Sequence, residues 1–136
     1  MERKTWAKFH RLKLRRFLYL ISPVIIKQNF FKDLNDVLAS RKVKYFQLRL
    51  KRHSDIKVVN IAYKVKAITK KYNVKLIIND SPQLAKKINA DGCHLGQSDG
   101  SIKDARLLLK SNKIIGITCH GSKKLILDAL KEKPNY

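Results

Sequence analysis

Apolar positions along the chain gather into short runs that alternate with longer amphipathic stretches, the pattern of repeated strand–helix units. The first run, Phe17–Ser22, is followed by Pro23 and a helical stretch over Phe31–Leu38. The second, Lys44–Leu50, precedes a long helix in which Val58, Ile61, Val65, Ile68 and Tyr72 recur every three or four residues. Lys57, Lys64 and Lys71 fall on its opposite side, which gives this helix one buried and one basic face. Val74–Ile78 forms a third run, and Ser81-Pro82 then opens a helix, with Ser as N-cap and Pro in the first turn. The fourth, Gly92–Leu95, leads through Gly96–Gly100 into a helix over Ile102–Leu109. The fifth is Ile114–Thr118, with a helix over Ser122–Lys131 that Pro134 stops.

Five such units in succession require parallel strands joined by right-handed crossovers. In sheets of this kind ligands bind at the carboxyl ends of the strands, so the polar residues that follow each run are the ones to inspect. With 136 residues the chain suits one domain, and 44 % hydrophobic residues are enough for a packed core, which excludes a disordered chain. The longest apolar stretch, Phe17 to Ile26, is interrupted by Ser22 and Pro23 and is half the ~20 residues of a membrane-spanning helix, so no membrane partner is expected. Two Cys, each followed by His, give no disulfide framework, and the expected compartment is a reducing cytoplasm.

Lys and Arg outnumber Asp and Glu by 31 to 10, a net charge of +21. A nucleic-acid binder concentrates such charge on one element with interleaved aromatics. Here the lysines are spread along the chain at helix-surface spacings, which makes nucleic acid the less favoured partner. Residues 1–16 alone form a basic segment, with Trp6, Phe9 and Leu12 on one helical stripe. They are read as an N-terminal helix that docks on a core, in preference to a nucleic-acid arm, ahead of one domain over 17–136.

The second run carries the most chemistry. Phe46, Leu48 and Leu50 alternate with Gln47, Arg49 and Lys51, where a fully covered parallel strand would be continuously apolar. A solvated edge strand explains this. So does a fork donor and a point charge aimed at one anionic group. The third strand ends in Asn79-Asp80, and Asp99 lies in the loop after the fourth. Each Asp alone reads as a turn or cap residue. Taken together, on neighbouring strands, they can share a hard cation such as magnesium, which uses one or two carboxylates and completes its shell with water and phosphate oxygens. Cys93-His94 and Cys119-His120 contain zinc-competent ligands, but adjacent strand residues point to opposite faces, so the cysteines are assigned to core volume and the histidines to the site rim. Gly116 and Gly121 are expected to let backbone approach a ligand.

Gln47–Lys51, Leu76–Asp80, Ala90–Asp99 and Ile115–His120, in this order and at these intervals, resemble successive motifs of the thiamine-phosphate synthase family. The resemblance covers the chain from about Phe17 to its end. It implies an α/β fold of (β/α)8 TIM-barrel type, incomplete here with about five βα units, the alternative being an open doubly wound parallel sheet. It implies an enzyme of thiamine biosynthesis that condenses hydroxymethylpyrimidine diphosphate with a thiazole phosphate and releases pyrophosphate. By this similarity Gln47, Arg49, Lys51, Asn79 and Thr118 would bind the pyrimidine diphosphate, and Asp80 and Asp99 would bind Mg2+. If the diphosphate leaves first, a pyrimidine-methyl cation is captured by the thiazole nitrogen and no nucleophilic side chain is needed. A thiazole tautomerase shares the fold but has no use for a metal-diphosphate set.

Three departures stand out. Leu50 replaces a Glu common in the family, at a position that alternation turns away from Arg49. Asn73 and Asn89 stand where the family tends to have Gly; Asn is the second choice for a left-handed helix C-cap, so the backbone geometry is expected to survive. The family's sixth strand and its thiazole-phosphate loops would lie after Tyr136. Five units leave unpaired sheet edges, which are expected to recruit a second copy or a complementing C-terminal chain.

Overall fold

The structure is a computed structural model that describes residues 16–51 and 53–136. Residues 1–15, with Trp6, Phe9 and Leu12 of the expected docking helix, lie outside the described residues. Among the described residues five strands alternate with five helices: β1 (Leu18–Ile21), α1 (Phe30–Ala39), β2 (Val43–Leu48), α2 (Asp55–Lys71), β3 (Lys75–Asn79), α3 (Pro82–Lys87), β4 (Gly92–Leu95), α4 (Ile102–Leu109), β5 (Ile114–Ile117) and α5 (Lys123–Lys131). All neighbouring pairs are parallel and the sheet order is β1-β2-β3-β4-β5.

A doubly wound sheet reverses its strand order at a switch point. This order never reverses, so the alternative of a doubly wound sheet is set aside in favour of a barrel wall. The sheet is also curled. In a flat sheet β1 and β5 would lie ~19 Å apart, four strand spacings, wider than two tyrosine side chains can span. Yet the hydroxyl of Tyr19, on β1, hydrogen-bonds that of Tyr136, which lies beyond β5. Asn135 and Tyr136 themselves line the outer edge of β5. The Asn135 N–H donates to Ile115 O (2.7 Å) and the Ile117 N–H to Tyr136 O (3.1 Å). The β1 edge is apolar, with Phe17, Leu18 and Ile21 each about half exposed.

Strand alternation sorts the residues into two faces. Phe46, Leu48, Leu76, Ile78, Cys93, Leu95 and Ile115 point outward and are buried against helix residues that include Leu38, Val65, Ala85, Ile102 and Ala105. Gln47, Ile77, Asn79, His94 and Gly116 occupy the other parity, in register across β2 to β5. The hydrophobic core thus lies between sheet and helices, which leaves the concave face for chemistry.

Local sequence explains the joints. Ser81, Ser101 and Ser122 accept the N–H groups of Leu84, Asp104 and Leu125 and cap α3, α4 and α5. Asn73 (φ 57°) and Asn89 (φ 51°) take the left-handed position after α2 and α3. Behind them the Val74 N–H reaches Thr69 O at 2.9 Å and the Ala90 N–H reaches Ala85 O at 2.8 Å, the paired bonds that close a helix through a left-handed residue. The two Asn therefore close these helices in the left-handed position, as expected.

One boundary differs from expectation. β2 stops at Leu48, so Arg49 and Lys51 lie beyond the strand and not on its alternating face. The reason is the partner: β1 ends at Ile21, opposite Gln47. The next residue, buried Ser22, donates its N–H to Gln47 O (2.9 Å) and accepts the Arg49 N–H on its hydroxyl (2.9 Å), in place of a continued ladder.

Candidate functional site

A cleft of about 890 Å³ opens at the carboxyl ends of the strands. Gln47, Arg49, Lys51, Asn79, Asp80, Asp99 and Thr118 all line it, together with His94 and His120. Residues as far apart in the sequence as Gln47 and His120 meet because each sits at, or just after, a strand end.

The carboxylates form the electrostatic centre. Burial pushes the Asp80 carboxyl above its usual range, and the hydrogen bond and negative charge of Asp99 push it further; Lys51 and Arg49 pull the other way. The Lys51 ammonium stands 4.0 Å from Asp80 Oδ2. Asp80 is held with φ 64°, a conformation costly for a side-chain-bearing residue, while its N–H donates to His94 O at 2.8 Å. Asp99 is fixed from the other side, as its Oδ2 accepts the Gly96 N–H at 2.7 Å. A Cβ on residue 96 would fall 2.7 Å from that oxygen, so a side chain there would displace the Asp99 carboxylate.

A carboxyl whose proton affinity is raised by a neighbouring carboxylate, as that of Asp80 is by Asp99, can take a cation in the proton's place. Among the described residues no three His, Cys, Asp or Glu side chains gather to hold a metal. A cation here must therefore complete its shell with water and ligand oxygens, which matches the habit of magnesium and not that of zinc. Cys93 faces the core and burial pushes its thiol up to about 11, which leaves it neutral and inert. Its neighbour His94 faces the cleft, so the pair cannot share a metal. Cys119 is free and packs against the core, while His120 (φ 47°) is exposed at the rim.

His94 Nε2 lies 2.7 Å from Thr118 Oγ1 and Nδ1 lies 3.3 Å from the Tyr136 hydroxyl. Burial holds the imidazole below its usual range, with Asp99 acting in the opposite sense, so the ring is neutral at physiological pH. Gln97 Nε2 donates to Thr118 O at 2.6 Å and ties the β4 loop to the end of β5. Gln47 is only 4 % exposed, and its Nε2 donates to the Tyr19 hydroxyl at 3.0 Å.

Two residues that line the cleft escape the sequence pattern, Tyr19 and Tyr136. Tyr19 is one of several apolar-run residues. Tyr136 fills space that had been assigned to a ligand: a Cβ on Gly116 would lie 2.2 Å from its ring, so this glycine admits a side chain of the protein itself. Gly121 (φ 70°) has open space around it and serves the turn into α5.

The molecule is similar to known proteins in both shape and sequence. Its fold matches the thiamine phosphate pyrophosphorylase of Pyrococcus furiosus with a TM-score of 0.76 at 23 % identity, over 90 % of this chain and 58 % of that one. A thiamine-phosphate synthase of Pelagibacter ubique is 50 % identical over 123 residues, which are 90 % of this chain and 59 % of the relative. One of Methanobrevibacter smithii is 39 % identical over 119 residues, 88 % of this chain and 56 % of the relative. The chain thus spans somewhat over half the length of the curated relatives it matches. The sequence model described as thiamine monophosphate synthase matches residues 18–136, the whole of the described sheet with its helices, and on this match the chain belongs to the thiamine monophosphate synthase family.

Proposed function

We propose that this chain carries the diphosphate-binding half of a thiamine-phosphate synthase site, for hydroxymethylpyrimidine diphosphate with Mg2+. The observation that supports it most is the convergence on one cleft of two mutually repelling carboxylates, Asp80 and Asp99, with Arg49 and Lys51 beside them. A divalent cation relieves the repulsion, and a diphosphate satisfies both the cation and the two basic side chains.

Asp80 and Asp99 would hold the magnesium, which supplies positive charge against the oxygens of the departing diphosphate. Arg49 offers a planar fork to one phosphoryl group and Lys51 a compact charge to the other. Asn79, at the end of β3, adds an amide donor. Asp99 is tied to the Gly96 N–H before the reaction, and the basic groups beside it stabilise the charge that develops as the carbon–oxygen bond breaks. The pyrimidine-methyl cation left behind is captured by the thiazole nitrogen, and the reaction asks for no nucleophile from the protein.

The thiazole phosphate is assigned to the part of the relatives that this chain does not match, supplied in the same molecule, by a second copy or by a complementing chain against the exposed β1 edge. A cytoplasmic setting agrees with the two free cysteines, and among the described residues no helix is long and apolar enough to cross a membrane. Titration calorimetry with hydroxymethylpyrimidine diphosphate and Mg2+ tests the proposal. Wild type should bind, whereas Asp80→Ala and Arg49→Ala should bind at least tenfold more weakly, the loss of one charge-assisted contact being about 1.5–3 kcal/mol. Unchanged binding in both variants would refute the site.

A further inference from the structure

The joint between the ends of β1 and β2 is made by one hydroxyl. Ser22 follows β1 directly and lies outside the lining of the cleft; it is 6 % exposed, so solvent competes little for its bonds. Its N–H donates to Gln47 O at 2.9 Å, as the next rung of a parallel ladder requires. Pro23 confines Ser22 to extended backbone, which keeps that N–H on the ladder. A continued ladder would then bring the Arg49 N–H to the Ser22 carbonyl. It goes to the Ser22 hydroxyl instead, at 2.9 Å, and the hydroxyl hydrogen turns to Arg49 O at 3.4 Å. The direction of both bonds is fixed by chemistry, since a peptide N–H only donates and a peptide carbonyl only accepts. One side chain thus holds both backbone polar groups of Arg49, the first residue past β2.

We infer that Ser22 is the positioning residue for Arg49, its hydroxyl fixing the backbone at the exit of β2 so that the guanidinium meets an anion in the cleft from an ordered base. This role rests on the reading of the cleft as a diphosphate site, and it separates the two basic groups of that site. Lys51 stands further along the chain, half exposed, with its ammonium 4.0 Å from Asp80 Oδ2. Its position is tuned by charge. Arg49 is held by its own peptide groups. The next residue, Leu50, packs against the core, so the segment is pinned a second time and the Arg49 side chain is the part left to face the cleft. A basic side chain mounted in this way gives up less freedom when the anion arrives, and the saving appears as affinity.

Amide hydrogen exchange tests the anchor without any ligand. The Arg49 amide should be protected in wild type and in Ser22→Thr, which keeps the hydroxyl. In Ser22→Val, which has the shape of threonine without the hydroxyl, that amide should exchange about fivefold faster, the loss of one hydrogen bond, while the amide of Ile78 in the middle of the sheet keeps its protection. Equal protection of Arg49 in Ser22→Thr and Ser22→Val would overturn the anchor. Calorimetry with magnesium pyrophosphate reads the consequence. Ser22→Val and Ser22→Ala should each bind about fivefold more weakly than wild type, the cost of ordering one residue on binding, whereas Ser22→Thr should retain the affinity. Equal losses in Ser22→Thr and Ser22→Val, or unchanged binding in Ser22→Ala, would overturn the positioning role. In an Arg49→Ala background Ser22→Ala should cost nothing more, and additive losses would show that the hydroxyl does not act through Arg49. Failure of wild type to bind magnesium pyrophosphate would refute the diphosphate reading instead, and the exchange rates would still decide the anchor.

Discussion

Asp80→Asn should make the metal-free protein more stable while it abolishes metal-dependent ligand binding. The folded state raises the Asp80 carboxyl above its ordinary value, first by burial and then through Asp99. A folded state that binds this proton more tightly than the unfolded chain loses stability as pH rises from the unfolded to the folded value, and at pH 7 the whole penalty is present. The side chain is 39 % exposed, so solvent screening holds that penalty to about 1 kcal/mol. Asn has the same shape, removes the charge and is among the residues that tolerate the φ of 64° found here, so no backbone cost offsets the gain. For a chain of this length 1 kcal/mol corresponds to a rise of about 4 °C in Tm. Calorimetric melting in EDTA at pH 7 should show that rise, and at pH 3, where the wild-type carboxyl is protonated, the difference should vanish. Magnesium pyrophosphate at a hundred times its Kd should then stabilise wild type by about 2.7 kcal/mol and reverse the order. A variant that melts below wild type in EDTA at pH 7, or a wild type indifferent to the ligand, would refute the claim that these carboxylates are held together for a cation.

Gly92→Ala should lower stability by about 3 kcal/mol, because a Cβ there would sit 2.0 Å from the Ile114 carbonyl oxygen, and urea unfolding measures it. Asn73→Gly should change stability by no more than a few tenths of a kcal/mol, whereas Asn73→Ala should cost about 1 kcal/mol because alanine resists the left-handed position; equal effects would refute the capping role. Affinity for a random DNA duplex at 150 mM salt should stay in the non-specific range and fall steeply with added salt, and a salt-independent fraction would revive the nucleic-acid reading set aside for the dispersed charge.

The strands and helices were legible because each has a period that only its own geometry satisfies. The end of β2 was not, for a reason that lies outside β2. The alternation of Phe46 to Lys51 continues through six residues, but a strand lasts only as long as its partner, and β1 gives way at Ser22. Arg49 and Lys51 still line the cleft, since the turn that ends the strand leads into it, so their place depends on where the strand points and not on where it stops. Leu50 shows the same decoupling, packing against the core as alternation required although it lies past the strand. Asp80 and Asp99 were readable as a pair because the distance between parallel neighbours is a constant of sheets. Tyr19 and Tyr136 could not be, as their meeting depends on the curl of the whole wall, and no local pattern encodes a contact between positions 117 residues apart. Gln47 lies between these cases. Its place in the cleft follows from the strand pattern, yet its Nε2 is engaged by Tyr19, so part of its work is done on the protein before any ligand arrives. What the pattern leaves hidden is therefore the part of the site in which protein side chains bind one another, and there Gly116 offered the one local signal: a residue without a side chain on the concave face marks where something else must fit.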